Sequence, residues 1–173
     1  DLREAVRAAR GAQGSWAGRT AYNRGQILYR AAEMMEARRP EFVSVLRQIG
    51  VTPKAASKQV DQAIDRWVWY AGWADKTHHI LGTVNPVAGP YFNFTFPEPT
   101  GVVGVMAPDE PALLGLVSRL AAVIVSGNTA VAVVEGPASL AAITLAEVLA
   151  TSDLPGGVVN LLTGDKNELL PWM

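Results

Sequence analysis

Residues 101–164 carry a pattern that few folds can accommodate, in which short apolar runs alternate with longer apolar segments of helical period. The runs Gly101–Ala107, Thr129–Val134 and Val158–Leu162 are rich in valine and lack polar alternation, as strands buried on both faces should be. Between the first two runs, Leu113, Leu116, Val117, Leu120 and Ile124 recur at helical steps. Between the second and third, Leu140, Ile143, Leu145, Val148 and Leu149 do the same, leaving Thr144 and Glu147 for a wetter side. The pattern predicts β-α-β-α-β with right-handed crossovers and a parallel sheet, one half of a doubly wound, Rossmann-like α/β domain. Punctuation agrees. Asp109 is placed to cap the first helix, with Pro111 in its first turn. Ser126-Gly127-Asn128 supplies a left-handed helix stop, Pro137 and Ser139 open the next helix, and Leu154-Pro155-Gly156-Gly157 closes it.

The upstream half reads as helical. Leu2, Ala5, Val6 and Ala9 share one helix face. A helical pair follows between Ala21 and Ile49, with Ile27, Leu28, Ala31 and Met34 on one stripe and Phe42, Val43, Leu46 and Ile49 on the next, broken at Arg38-Arg39-Pro40. A longer helix over Lys54 to Lys76 carries Val60, Ala63, Ile64, Trp67, Val68 and Ala71, and its Trp67, Trp69, Tyr70 and Trp73 read as packing surface. A loop is expected over 77–90. Tyr91–Phe96 then alternates strictly, with Phe92, Phe94 and Phe96 on one face and Tyr91, Asn93 and Thr95 on the other, as in a half-buried strand. The resulting division is a helical segment over 1–89, an alternating strand within 90–100, and a partial Rossmann-like domain over 101–173; the resemblance described below implies an oligomerisation strand for the second and coenzyme binding for the third.

Composition excludes several function classes. At 173 residues, 49% hydrophobic and a net charge of −1, the chain is globular and about one domain long. Arg3, Arg7, Arg10, Arg19 and Arg24 are scattered rather than interleaved with aromatic residues, so no nucleic-acid partner is expected. The longest apolar run, around Leu113–Val125, is interrupted by Ser118 and Arg119, so no membrane span is expected. The charged, amphipathic amino end does not read as a signal peptide. With no cysteine, disulfides and thiolate chemistry are excluded, and cytoplasm is the default compartment. Both ends look abrupt. The expectation is a fragment, or a lobe needing a partner, with a bare apolar sheet edge.

The segments GVVGVMAP, LLGLVSRLAAVIVSGNTAVAV, LAEVLATSDLPGGVVNLLTG and YAGWADK resemble the coenzyme-domain half of the aldehyde dehydrogenase superfamily, from about Ala5 to Gly164. The resemblance implies a parallel sheet holding NAD or NADP, and an arm strand equivalent to Tyr91–Phe96 that pairs with another subunit. It also implies oxidation of aldehydes through a covalent thiohemiacetal, which requires a thiolate, a general base, a donor for the oxyanion and a bound nicotinamide. In the family the cysteine and the glutamate base lie downstream of the stretch matched here.

Within the matched stretch this chain departs from the family at several positions. The family's Pro-Trp-Asn, whose asparagine donates to the oxyanion, is Pro108-Asp109-Glu110 here, and an ionised Glu110 can only accept. The bland reading of Asp109 and Glu110 is helix-dipole and cap chemistry. The lysine and glutamate that hold the adenosine ribose are replaced by Val133 and Gly136. Glu135 is next to that position, but strand alternation would point it elsewhere. The glycine-rich turn becomes Gly164-Asp165-Lys166-Asn167-Glu168, and no G-x-G-x-x-G occurs. Ala107, Pro108, Val133 and Gly136 are therefore degenerate coenzyme positions, Glu110 stands at the oxyanion position, and no catalytic residue is assigned.

His78-His79 reads as a solvated loop rather than a metal site. Ser15, Ser118 and Ser126 lack a G-x-S-x-G context. Asp61 and Asp65 are expected on a solvated face with Lys58 and Arg66. The preferred expectation is a degenerate lobe, similar to the non-catalytic second domain of two-domain family members. Its partner would be its own continuation, a second copy or a catalytic aldehyde dehydrogenase subunit. The alternative is the amino-terminal portion of an active NAD-dependent aldehyde dehydrogenase, and a third reading is an unrelated small Rossmann-like module.

Overall fold

The structure, a computed structural model, describes residues 2–172. In chain order come α1 (Leu2–Ala17), α2 (Ala21–Ala37), α3 (Arg39–Gln48), α4 (Pro53–Trp73), α5 (Thr77–Leu81), β1 (Thr83–Asn85) and β2 (Asn93–Thr95). The second half runs β3 (Val102–Met106), α6 (Ala112–Val125), β4 (Thr129–Val134), α7 (Ala138–Ala150), β5 (Val159–Thr163) and the short α8 (Lys166–Leu169), which leads into a 3-10 turn at Leu170–Trp172.

β3, β4 and β5 form one parallel sheet in sequence order. Val102 to Met106 lie opposite Thr129 to Val133, and Ala130 to Val134 lie opposite Val159 to Thr163. Burial on both faces, expected of all three runs, holds for β4 alone. β3 and β5 are largely half-buried, because each is an outer strand with a neighbour on one side only. Alternation along β4 divides the core. Ala130, Ala132 and Val134 join the large cluster formed with α6 and α7, while Val131 packs with Leu2, Ala5 and Ala9 of α1. The sheet is thus covered on both faces. The Thr129 hydroxyl, wholly buried, donates to Ala9 O at 3.1 Å and ties α1 to the strand.

α7 is rotated relative to the sequence expectation. Ala138, Ala141, Ala142, Thr144, Leu145, Val148 and Leu149 face the core, and Leu140 and Ile143 are exposed. Thr144 tolerates burial because its hydroxyl donates to Leu140 O at 3.1 Å within the helix. The alanines then let the helix lie close to the sheet.

The amino-terminal helices share that large cluster, with α4 packed between α2 and α6. Trp16, Leu28, Met35, Phe42, Leu46 and Trp67 are fully buried. Trp16 donates from Nε1 to Ile124 O at 2.9 Å. Arg24 is buried with no carboxylate partner among the described residues. Instead it donates to the carbonyls of Val125 at 3.1 Å, Ala17 at 3.3 Å and Arg19 at 2.6 Å, which closes the C-terminal ends of α6 and α1. Burial pulls this guanidinium below its ordinary value. The packing expected of the aromatic residues on α4 holds for Trp67, whereas Trp69 is exposed and meets Tyr70 edge-on and Trp73 at a tilt.

The expected loop at 77–90 instead contains α5 and β1, and β1 pairs antiparallel with β2. Thr77 donates from Oγ1 to Trp73 O at 3.0 Å, which satisfies the last carbonyl of α4 and ties α5 to it. Alternation in the hairpin is as the sequence indicates: Phe92, Phe94 and Phe96 lie along one side, the first pair tilted with ring centroids 5.4 Å apart and the second stacked at 5.8 Å. The half-buried setting expected for this strand is not found: its residues are exposed, and α5 reaches the aromatic side at one end, where the His78 and Phe96 ring centroids are 5.8 Å apart.

Candidate functional site

A cleft of about 940 Å³ opens at the C-terminal ends of β3 and β4, the edge at which open α/β sheets bind ligands. One wall is the segment from Asp109 to Ala112, which joins β3 to α6, and it includes a cis Glu110-Pro111 bond. The second wall is the turn from Glu135 to Ala138 between β4 and α7. Ile49, Gly50, Val51 and Gln59 line the remainder from the helical layer.

The residues singled out from the sequence divide between this cleft and the core. Glu110 and Gly136 line the cleft. Gly136 holds φ +62, a left-handed backbone that suits glycine and would strain a glutamate at this position. Ala107 and Val133 are buried in the sheet, where Ala107 N donates to Val133 O at 3.0 Å. Pro108 lies against α6 at Gly115, where an added Cβ would fall 2.2 Å from Pro108 Cγ, so only glycine permits this approach. Glu135, expected to point elsewhere, does line the cleft, because β4 ends at Val134 and strand alternation no longer governs it.

Asp109 is not the cap of α6. The N–H groups of Leu113 and Leu114 donate to Gln59 Oε1, at 2.9 and 3.4 Å, so the helix end is filled by a side chain from α4. Asp109 pairs instead with Lys166, whose Nζ donates to Asp109 Oδ1. The Lys166 backbone N–H donates to Glu135 Oε2 at 3.5 Å. The start of α8 is capped by Asp165, whose Oδ1 accepts from Asn167 N at 2.7 Å and Glu168 N at 3.3 Å. Gln59 had no local signal, since its partners are 54 residues away in sequence. The charge of Lys166 was legible, but its two partners were not.

Two other expectations change. Asp61 pairs with Arg39, at 2.7 and 3.0 Å, rather than with its helical neighbours. Hydrogen bonding to that guanidinium holds the Asp61 carboxyl below its ordinary value. His78 and His79 lie exposed on α5, and among the described residues no group of three His, Cys, Asp or Glu side chains could hold a metal ion. Among the same residues no helix is long and apolar enough to cross a membrane.

A dinucleotide brings a pyrophosphate, which such folds hold at exposed helix N-termini. Here the starts of α6 and α8 already have side-chain acceptors, the start of α7 has no side-chain cap, and the cleft walls carry the carboxylates of Asp109, Glu110 and Glu135. Those carboxylates disfavour a polyanionic coenzyme. Nor can an ionised Glu110 donate to an oxyanion.

The sequence pattern of the aldehyde dehydrogenase family matches residues 1–171. Rat mitochondrial aldehyde dehydrogenase is 34% identical over 169 residues, which cover 95% of this chain and 32% of that protein. Human cytosolic 10-formyltetrahydrofolate dehydrogenase is 34% identical over 172 residues, 95% of this chain and 19% of that protein. An aldehyde dehydrogenase from Bacillus cereus, solved as an NAD+ complex, superposes with a TM-score of 0.90 at 29% identity, covering 96% of this chain and 34% of its own. The chain thus spans about a third or less of the length of these relatives.

Proposed function

The chain belongs to the aldehyde dehydrogenase family, and on that premise we propose that it is a coenzyme-side lobe that oxidises no aldehyde itself. Its role is structural, as an oligomerisation partner in an assembly that oxidises aldehydes to carboxylic acids with NAD or NADP. The observation that carries this reading is the chemistry of the cleft. Glu110 replaces a donor with an acceptor, Gly136 offers no side chain, Val133 is withdrawn into the sheet, and the start of α6 is plugged by Gln59. The chain contains no cysteine to act as the nucleophile. Its partner is its own continuation, a second copy or a catalytic aldehyde dehydrogenase subunit, and the exposed hairpin is the surface offered. The setting is cytoplasmic.

A second reading, the amino-terminal portion of an active NAD-dependent aldehyde dehydrogenase, is favoured by the shared fold with the Bacillus cereus enzyme solved as an NAD+ complex. The purified chain, given NAD or NADP and a panel of aldehydes, should produce no reduced coenzyme by absorbance, and turnover would sink the non-catalytic reading. Because the chain carries no nucleophile under either reading, the two are separated by calorimetry with NAD and NADP, where the second predicts binding and the first little or none.

A further inference from the structure

We infer that the outer edge of β5 pairs with β5 of a second copy, antiparallel and about a two-fold axis at Leu161, joining the two sheets edge to edge. The inference goes beyond the proposed role and uses neither the cleft nor the hairpin. β5 has β4 on one side and, among the described residues, no strand on the other. Val158 O accepts from Ala130 N at 2.8 Å, and Gly164 N donates to Val134 O at 3.1 Å. Backbone groups of alternate residues point the same way along a strand, so those of Asn160 and Leu162 also face β4. Val159, Leu161 and Thr163 therefore present their N–H and C=O groups outward. The run Val-Asn-Leu-Leu-Thr holds neither lysine nor proline to blunt that edge. β3, the other outer strand, is less open, because its Met106 carbonyl accepts from Arg119 at 3.0 Å and Gly104 brings no side chain to a contact.

The β5 edge is self-complementary. With Leu161 opposite Leu161 of the second copy, Val159 falls opposite Thr163 and Thr163 opposite Val159, so every outward N–H meets an outward C=O. The faces agree as well. Val159 and Leu161 lie on the side of α6 and α7, and Leu162 lies on the side of α1. The pairing thus sets leucine beside leucine on the first side and Leu162 beside Asn160 on the second. A depression of about 370 Å³ at this edge is lined by Leu2, Ile143, Leu161, Leu162, Thr163 and Leu169, so its flanks are apolar on both faces of the sheet. A two-fold contact uses one patch twice and closes, which gives a dimer rather than a fibre. An edge of five residues buries little, and the dimer belongs to the weak class, below about 1,200 Å². It forms in concentrated solution and dissociates on dilution.

The test uses the full chain carrying Phe92→Ser and Phe94→Ser, which removes association through the hairpin. Sedimentation over rising concentration should pass from monomer to dimer. Where half of the chain is paired, amide exchange at Val159, Leu161 and Thr163 should slow about twofold, while Asn160 and Leu162, bonded to β4 throughout, should not change. Ile143→Lys and Thr163→Lys, both at exposed positions, should each weaken the dimer about tenfold or more and leave the urea midpoint unaltered. A monomer at every concentration would overturn the inference. So would a dimer that both lysine variants retain, or one that protects the odd and even amides alike. Protection of the three amides in a dilute monomer would show the edge covered within the chain, and the inference would fail. If a synthetic Val-Thr-Val-Thr-Val strand protected them in a chain that never dimerises, the edge would belong to a different polypeptide and pairing between copies would be ruled out.

Discussion

Two stretches of this chain carry runs of large apolar side chains and come to rest in opposite surroundings. β4 contributes six consecutive residues, all buried, between α1 on one face and the layer of α6 and α7 on the other. The segment from Ile80 to Phe96 runs from the end of α5 through the β1–β2 hairpin, and every large apolar side chain in it is exposed: Ile80, Leu81, Val84, Val87, Tyr91, Phe92, Phe94 and Phe96. The hairpin is nevertheless ordered as an amphipathic ribbon. Val84 lies opposite Phe94 on the aromatic side, while Asn85 donates from Nδ2 to Asn93 Oδ1 and Thr95 Oγ1, at 3.3 and 3.1 Å, on the other. Hydrophobicity alone therefore does not decide burial. β4 is buried because the chain covers both its faces, and the hairpin has an apolar face that His78 of α5 touches at Phe96 and that otherwise stands exposed. Burying one phenylalanine is worth roughly 1.5–3 kcal/mol, so the hairpin face holds a large unspent driving force for association.

The sharpest way to break the comparison is to damage the covered side. Leu120 lies fully buried on α6, within the cluster shared by the sheet and the helical layer. Leu120→Ala should destabilise the chain by about 2–5 kcal/mol, read as a lower midpoint in urea with an unchanged slope. A loss below 1 kcal/mol, on the order of a surface substitution, would mean that the core relaxes around the cavity and is less tightly packed than its burial indicates.

A smaller effect is expected where the helical layer is stitched to the sheet. Arg24→Met keeps the aliphatic volume but removes the donors to Val125, Ala17 and Arg19. Leaving such buried carbonyls unpaired should cost about 1–3 kcal/mol. Hydrogen exchange should localise the loss to the C-terminal turns of α1 and α6. Faster exchange spread evenly over the whole chain would show that Arg24 contributes general packing rather than closure of those helix ends.

The same contrast explains what could be read from the sequence and what could not. The bounds of β4 were legible to the residue, since a valine-rich run with no polar interruption has few alternatives, and Gly127 at φ +91 is the helix stop its position implies. The face that α7 buries is set by fit rather than by side-chain size. Thr144 satisfies its own hydroxyl and three alanines allow close approach, so the leucine and isoleucine turn outward. The alternation in Tyr91–Phe96 was visible, but burial depends on cover that a strand's own residues do not encode. In the cleft, the positions of Glu110 and Gly136 could be read from the ends of the apolar runs. Gln59 reaches α6 only through the packing of α4, and Lys166 reaches Asp109 only once β5 lies beside β4. Contacts of this kind follow from topology, and no local pattern announces them.

The smallest expected effect on stability belongs to the uncovered face, and it tests the comparison from the other side. Phe92 and Phe94 pack on each other and on Phe96 but on no element of the core. The double variant Phe92→Ser, Phe94→Ser should therefore shift the unfolding free energy of the chain by no more than about 0.5 kcal/mol, as for other exposed positions. Its effect should appear in assembly instead. Sedimentation of the unaltered chain should show self-association or capture by a catalytic subunit, and the double variant should sediment as a monomer with weaker binding of an apolar dye. Loss of stability comparable to Leu120→Ala would place the hairpin inside the cooperative core and remove the contrast with β4. Unchanged sedimentation would show that the aromatic face is not the surface through which this lobe finds its partner.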